Sequence, residues 1–388
     1  MAQKNSFWTK NFTLLFFSNA FLFMVYNMQV PVLPLYGEKI GLDAGQIGIF
    51  VGMIMFTGLI VRLFAGHLAQ IFSKRKLLLL GIMLYLAATF GYPLLTSFSL
   101  LVLLRALNGI GNGLATTYFA TMAADELPLK SLGTGMGYFG VGDTITAALA
   151  PVLSLSLVQK ISYDAFFIAC AVVLLLAIIL LLLTDKQKQS SLFQREAKFS
   201  VKNYFDNDFL ERGLLIFLLG VMMSGIMAFT SIYAKQQDLT DVAWFFFAAA
   251  IAGVVIRPFT GRTFDAKGPF LILLPASLGL LVSILLIIYS QTNLMLLIAG
   301  FFYGAADEAI FLTVQAWVLK KAGIAKRETA TSMFLNFYDF GMGIGASILG
   351  KIADITSYRC MFFLLAFIAA FYILLCFYFQ QKKRKNLV

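Results

Sequence analysis

Twelve long apolar runs dominate this sequence of 388 residues and restrict what it can fold into. About 20 helical residues cross the roughly 30 Å hydrocarbon core of a membrane, and each run is of that length. The runs lack the alternation of a barrel strand and are about twice its length, so we predict helices. They lie at 12–34, 45–66, 77–95, 98–122, 131–157, 163–184, 212–234, 241–260, 269–290, 293–319, 328–351 and 357–380.

Composition supports a membrane protein. The chain is 60% hydrophobic and 13% charged, which leaves too few polar side chains to cover a water-soluble globule of this size. We therefore predict an all-α integral membrane protein with twelve transmembrane helices. The predicted organisation is a six-helix half at 1–184, a cytoplasmic linker at 185–211 and a second six-helix half at 212–388.

The two halves share a repeated segment. "RLFAGHLAQIFSKRK" begins at Arg62, and a diverged copy, "RPFTGRTFDAKGPF", begins at Arg257. The same shift of 195 residues aligns Gly66 with Gly261. This repeat predicts two pseudo-symmetric halves that arose by duplication.

The net charge of +11 follows from topology. With the N-terminus inside, most lysines and arginines fall on segments predicted to face the cytoplasm. The positive-inside rule then places both termini and the linker in the cytoplasm of a multi-pass cell-membrane protein. Nucleic acid is not needed to explain the charge. The predicted outer segments hold only Lys39, Lys160, Lys235, Lys351 and Arg359.

Several functional classes lack support in the sequence. Cys170, Cys360 and Cys376 all fall inside predicted spans, so neither a disulfide framework nor a metal site is expected. No Gly-x-x-x-x-Gly-Lys-Ser/Thr loop occurs, and no motif supports enzymatic chemistry. We expect no cofactor, and an ion gradient is the expected source of energy.

Two motifs carry a family resemblance. "GHLAQIFSKRK" resembles the G-x-L-a-D-r-x-G-r-k loop of the major facilitator superfamily, with Gln70 in place of the usual aspartate. "LVLLRALNGIGNG" resembles the L-x-x-x-R-x-x-Q-G pattern of proton-coupled members, with Arg105 in place and Asn108 where the pattern has glutamine. The resemblance covers the whole chain. It implies two parallel six-helix repeats about an axis along the membrane normal.

The fifth span bears on the direction of transport. It keeps Pro151 and Gly137 of the glycine-rich motif of drug:proton antiporters, but Ala150, Ser154 and Leu155 replace expected glycines. A proline kink with small residues for close packing explains the same letters. Export is favoured by general resemblance to small-molecule efflux permeases.

An ionisable side chain inside a span costs about 2.5 kcal/mol or more of insertion free energy, so its presence there points to a function. In the family's arrangement, spans one, four, seven and ten line a central path, so mid-span acids are expected to converge on one cavity. A carboxyl in a poorly solvated cavity can load and release a proton near neutral pH. We therefore predict that proton coupling involves Asp307, Glu308, Arg105, Asp143 and Asp339.

These five residues carry open alternatives. Asp307 and Glu308 point about 100° apart on a helix, so one faces the cavity and the other a neighbouring helix. Arg105 either takes part in proton coupling or pairs with an acid to stabilise packing. Asp143 and Asp339 are 196 residues apart and are interpreted as a repeat-related pair.

Further residues are candidates for substrate binding and gating. Polar, aromatic and methionine side chains in spans one, seven and eleven suit a cavity that binds small organic molecules. The substrate-binding candidates are Asn19, Tyr26, Asn27, Met223, Met227, Asn336 and Tyr338. The predicted gating residues, in two basic loops, are Gly66, Gln70, Arg75, Gly261 and Asp265.

The gating loops have expected partners. Lys320 and Lys321 are candidates to pair with Asp265. In the first half, Asp125 and Glu126 would lie opposite Lys74 and Arg75. Each loop would then act as a charged latch on the cytoplasmic side.

The resemblance and the intramembrane acids predict a secondary active transporter. The favoured function is proton-coupled export of a small amphiphilic, cationic or zwitterionic organic molecule by alternating access, as a monomer in the lipid bilayer. An uptake symporter or facilitator of a small metabolite is the alternative. A membrane receptor or lipid-moving protein without small-molecule transport is more remote.

Overall fold

The structure, a computed structural model, describes residues 8–127, 132–185, 207–322 and 327–385. Over these ranges the chain forms twelve α-helices and one short 3₁₀ turn, Tyr92–Leu94. The helices are α1 Lys10–Lys39, α2 Ala44–Ile71, α3 Lys74–Gly91, α4 Phe98–Asp125, α5 Leu132–Lys160, α6 Tyr163–Leu182, α7 Asn207–Gln236, α8 Ala243–Lys267, α9 Phe270–Ile288, α10 Asn293–Ala322, α11 Arg327–Ile355 and α12 Tyr358–Lys385.

Each predicted span corresponds to one helix. Within the described ranges, eleven of the helices are long and apolar enough to cross a membrane. α6 shows why: apolar side chains cover every face, and Leu175, Leu176 and Ile179 remain exposed as a lipid-facing surface. The all-α membrane architecture is confirmed. Most of the predicted linker 185–211 lies outside the described residues.

The two basic motifs are helix ends and not loops, which corrects the prediction. α2 continues to Ile71, and only Phe72 and Ser73 separate it from α3. α8 likewise continues to Lys267. An α-helix satisfies its own backbone hydrogen bonds in lipid and in water alike, so a change from apolar to basic side chains does not end it.

The chain divides into two compact units. The first comprises Met1–Val30 with Met53–Phe199, and the second comprises Pro31–Gly52 with Ser200–Val388. Within the second unit, Pro31–Gly52 packs closely on α11, because Gly48 lies against the backbone of Ala346.

The duplication is visible in how helices cross within each unit. In the first unit, Gly109 of α4 packs against the backbone of Ile54 in α2. In the second unit, Gly304 of α10 packs against the backbone of Ala249 in α8. Both pairs obey the shift of 195 residues found in the sequence. A glycine at each crossing lets two backbones approach closely, which is how small residues hold membrane helices together.

Candidate functional site

An ion pair joins α8 to α10 inside the second unit. Arg257 Nε donates to Glu308 Oε1 at 2.8 Å. Gly253 lies one turn before Arg257, and a methyl group there would sit 3.6 Å from Glu308 Cβ, so the helices meet closely at this level. Glu308 is mostly buried, with 20% of its side chain exposed, and Arg257 is half-exposed at 49%. The pair neutralises a charge that would otherwise stand alone in a transmembrane helix.

Asp307 lies beside this pair. Asp307 as a whole residue is partly buried. Its Oδ1 atom is fully buried and has no hydrogen-bond partner in the described part of the chain. Asp307 and Glu308 differ in this respect, as their angular separation on the helix predicted. Glu308 has a counter-cation, whereas Asp307 holds a carboxyl oxygen that a proton or a ligand could satisfy.

A buried polar network occupies the first unit, around Arg105. This residue is only 3% exposed, and its Nη1 donates to Gln29 Oε1 and Asn108 Oδ1, each at 3.3 Å. The hydroxyl of Tyr85 donates to the same Gln29 oxygen at 3.0 Å, and that of Tyr92 donates to Asn108 Oδ1 at 2.8 Å. The network joins α1, α3 and α4. Its shared amide oxygens accept hydrogen bonds from Nη1 of the buried guanidinium.

A second polar contact in this unit joins α1 to α5. Asn19 Nδ2 donates to Asp143 Oδ1 at 2.8 Å, and Asn27 Nδ2 donates to Thr146 Oγ1 at 3.3 Å. Gly142 permits the approach, since a methyl group there would already lie 3.2 Å from Ala20 Cβ. Two of the predicted substrate-binding residues therefore contact α5, one of them through a predicted coupling acid.

The other predicted substrate-binding residues lie on α1, α7 and α11. Tyr338 of α11 packs edge-on against Phe311 of α10, with ring centroids 5.2 Å apart. Asp339, the next residue, is buried. On α7, Met223 is fully buried and Met227 is partly exposed. Tyr26 and Asn336 are also partly exposed.

The predicted gating residues have mixed outcomes. Arg75 caps the C-terminal end of α6, because its Nη2 donates to the carbonyls of Leu181 and Leu182 at 3.3 and 2.8 Å. Its neighbour Lys74 pairs with Asp125 at 2.5 Å, as the sequence suggested, and ties α3 to α4 within the first unit.

The remaining predicted gating residues lie on α2 and α8 and have no described side-chain contact that tests a gating role. Gly261 lies at an exposed position on α8 where an added methyl group would meet open space. Gly66, Gln70 and Asp265 belong to helices α2 and α8, but their side-chain environments lie outside the described residues. The charged latch at Asp265 stays a prediction.

Sequence reasoning missed that Arg257 is the partner of Glu308. It aligned this residue with Arg62 at the edge of a basic loop. A signal was present, since Gly253 precedes Arg257 by four residues and Gly304 precedes Glu308 by four. Residues four apart share a helix face, so each charge lies one turn from a close-packing glycine.

The equivalent crossing in the first unit has a glycine in place of the acid. The shift of 195 residues places Gly113 where Glu308 stands in the second half. A methyl group on Gly113 would lie 2.9 Å from the carbonyl oxygen of Gly58, so the position is filled by backbone. The two halves have kept the crossing but diverged in its chemistry.

Twelve helices in two related sets, of which eleven in the described ranges are apolar enough to cross a membrane, with an ion pair between two of them, define a polytopic membrane transporter. The profile of the Major Facilitator Superfamily matches residues 15–292 and 270–387. The chain therefore belongs to the Major Facilitator Superfamily. It is a transporter and not an enzyme.

Individual relatives are distant. An uncharacterized MFS-type transporter of Methanocaldococcus jannaschii is 21% identical over 342 residues, which cover 86% of this chain and 88% of the relative. The quinolone resistance protein NorA of Staphylococcus aureus is 26% identical over 129 residues, a third of each chain.

Solved structures with the same fold cover nearly the whole chain. A mutant of the nucleoside transporter NupG matches with a TM-score of 0.83 at 14% identity, over 95% of this chain and 99% of its own. The peptide transporter POT, also in a mutant form, gives 0.76 at 17% identity, over 96% of this chain and 94% of its own. At such identities the likeness establishes the fold.

Proposed function

We propose that this transporter exports a small organic cation or zwitterion in exchange for protons, by alternating access. The observation that carries the proposal is the arrangement on α10, where an acid with a buried, unpartnered oxygen adjoins an acid that already has a counter-cation. Two neighbouring carboxyls in unlike environments are suited to different roles.

Asp307 is the proposed proton carrier. An ionised carboxylate with a buried oxygen that accepts no hydrogen bond is costly, and a proton removes the charge that causes the cost. A substrate cation that reaches the carboxylate removes it equally well. The proton and the substrate cation therefore compete for one group, which is the chemistry that an antiporter requires.

Glu308 is proposed to have a structural role in the same site. Its pairing with Arg257 keeps a cation on α8 away from Asp307. Without Glu308, the guanidinium would be released to pair with Asp307 and would hold it in its ionised form. Coupling would then fail through a change in the neighbour and not through loss of the proton carrier.

In the first unit, the polar residues are proposed to bind substrate and to position helices. Asn19 and Asp143 form a hydrogen-bonded pair that offers a second carboxylate, and Asn27 lies on the same side of α1. Arg105 is buried among amide and phenol groups, so we assign it a positioning role for α1 and α4. Asp339 stays a candidate for proton coupling on α11.

Export is supported by one relative. The Staphylococcus aureus protein, which matches a third of this chain, is named a quinolone resistance protein, and export of a drug is one way to resist it. We propose a cell-membrane location with both termini in the cytoplasm, on the distribution of basic residues. The family's transporters typically act as single chains, and we propose the same here.

Everted membrane vesicles test the proposal. Vesicles with an acid interior are loaded with a pH-sensitive dye, and cationic, zwitterionic and anionic compounds, a fluoroquinolone among them, are added. A cation or zwitterion should collapse the gradient in vesicles with this protein and not in vesicles without it. Uptake without collapse of the gradient would favour the symporter or facilitator.

Variants then separate the two acids. Asp307→Asn should abolish the collapse, whereas Asp164→Asn, at the exposed start of α6, should leave it unchanged. Glu308→Gln alone should impair it, and the double variant Arg257→Gln/Glu308→Gln should restore it, because the released cation is also removed. Normal coupling in Asp307→Asn would overturn the assignment.

A further inference from the structure

A cavity opens where α8, α9 and α10 meet at the basic end of the second unit. Its volume is about 260 Å³. It is lined by Phe264, Gly268, Pro269, Trp317, Lys320 and Lys321. None of these residues takes part in the proposed coupling site around Asp307.

The walls of this cavity are fixed by packing. Phe264 belongs to a buried cluster with Ile272 and Ala309, and Trp317 packs against that cluster. Trp317 also meets Phe270 edge-on, with centroids 5.3 Å apart. The cavity is therefore walled by packed side chains of α8, α9 and α10.

The floor is a tight turn from α8 into α9. Gly268 has a φ of +79°, a backbone conformation that favours glycine, and its N–H donates to the carbonyl of Phe264 at 2.9 Å. Pro269 follows at once, so α9 starts at the cavity. The first-turn amides of a helix have no partner within it, and they carry the positive end of the helix dipole.

Two lysines line the same space, and an arginine lies behind one of its walls. Lys320 and Lys321 line the cavity, and the ammonium of Lys320 lies 5.7 Å from the centroid of the Phe264 ring. In the part of the chain that the structure describes, no carboxylate pairs with Lys320. Buried Arg212 stacks over the ring of Trp317 at 4.9 Å, behind the cavity wall. Lys320 therefore offers an ammonium group to an anion in the cavity.

We propose that this cavity binds a phosphate-bearing anion, supplied by the headgroup of an anionic phospholipid. Its position at the basic ends of two helices supports a lipid source, because Lys267 lies in the last turn of α8 and Lys320 and Lys321 lie in the last turn of α10. A headgroup phosphate lies at this level, and basic pockets between helix ends are suited to it. Trp317 and Phe264 would contact the glycerol and upper acyl region.

Tryptophan quenching by lipid tests the proposal on the full-length protein. The chain has three tryptophans, so Trp8→Phe/Trp244→Phe leaves Trp317 as the reporter. This protein is placed in phosphatidylcholine nanodiscs with increasing fractions of brominated phosphatidylglycerol. Quenching should saturate at a lower fraction than with brominated phosphatidylcholine.

Variants and competitors decide the interpretation. Lys320→Gln should raise the half-saturating fraction about five-fold, the effect of about one lysine charge near a membrane surface. Lys320→Arg should keep the preference, and Lys76→Gln, an exposed control on α3, should not change it.

The source of the phosphate is tested separately. Millimolar glycerol phosphate should fail to displace the lipid. If it displaces the lipid in a manner that depends on Lys320, the anion site stands but its natural ligand is soluble, and the lipid assignment is overturned. Equal quenching by both lipids, or equal effects of Lys320→Gln and Lys76→Gln, would overturn the site itself. Transport is not the readout, so failure here leaves the proposed exchange of protons untouched.

Discussion

Gly304→Ala should destabilise the protein, because the crossing of α8 and α10 has no room for a side chain. The added methyl group would meet the carbonyl oxygen and carbon of Ala249 and would lie 2.5 Å from its Cα. All three atoms are backbone, so relief requires the helices to separate. The separation caused by the added methyl group would occur at the crossing of α8 and α10, where Arg257 pairs with Glu308.

The expected change in the free energy of unfolding of Gly304→Ala is the sum of two opposing contributions. Overpacking a close contact costs about 1–3 kcal/mol, and rigid backbone places this case at the upper end. Alanine gains about 1 kcal/mol over glycine in helix propensity. The net loss in the free energy of unfolding is therefore about 1–2 kcal/mol. Gly253→Ala is the matched control on the facing helix, since its methyl group would lie 3.5 Å from the carbonyl oxygen of Gly304, an ordinary contact.

Unfolding in mixed detergent micelles, followed by helical circular dichroism, provides the comparison. Gly253→Ala should equal or exceed the wild type by up to about 1 kcal/mol, so the two variants should differ by about 1–3 kcal/mol. The repeat predicts the same order for Gly109→Ala and Gly58→Ala in the first unit. Equal stability of Gly304→Ala and Gly253→Ala would refute the close crossing.

Two other contacts should respond in proportion to their burial. Gln29→Leu removes the acceptor of the Tyr85 hydroxyl and one of the two acceptors of Arg105 Nη1, and should lower the free energy of unfolding by about 1–3 kcal/mol, measured by the same assay. A loss below 0.5 kcal/mol would contradict the network. Glu38→Gln removes an exposed ion pair with Lys235 (2.7 Å), and should cost at most about 1 kcal/mol; a larger loss would show that the pair is buried in the folded protein.

Much of the fold could be predicted from hydropathy, because the cost of unsatisfied backbone groups in lipid leaves helices as the option for each long apolar run. α4 and α10 begin at the predicted residues, Phe98 and Asn293. The ends of α2 and α8 could not be predicted in the same way. Hydropathy marks where a helix leaves the membrane, and Ile71 and Lys267 lie beyond that point.

The candidate site was predicted in its residues but not in its contacts. Asp307 and Glu308 stood out as charges inside a span, and the helical angle between them indicated that they differ. Which acid is paired depends on the neighbour across the helix crossing. Arg257 could be identified as that neighbour only from the packing of α8 on α10, which periodicity within one helix does not encode.

Competition between protons and a cation tests the coupling claim most directly. Binding of the lipophilic cation tetraphenylphosphonium to the purified protein would be measured as pH is varied. If one proton leaves Asp307 for each cation bound, raising the pH by one unit should lower the dissociation constant about tenfold while free Asp307 is protonated. At a pH where free Asp307 is already ionised, the dissociation constant should no longer change. Asp307→Asn should bind weakly and show no such slope. A slope that persists in Asp307→Asn, or binding that ignores pH in the wild type, would contradict Asp307 as the shared site.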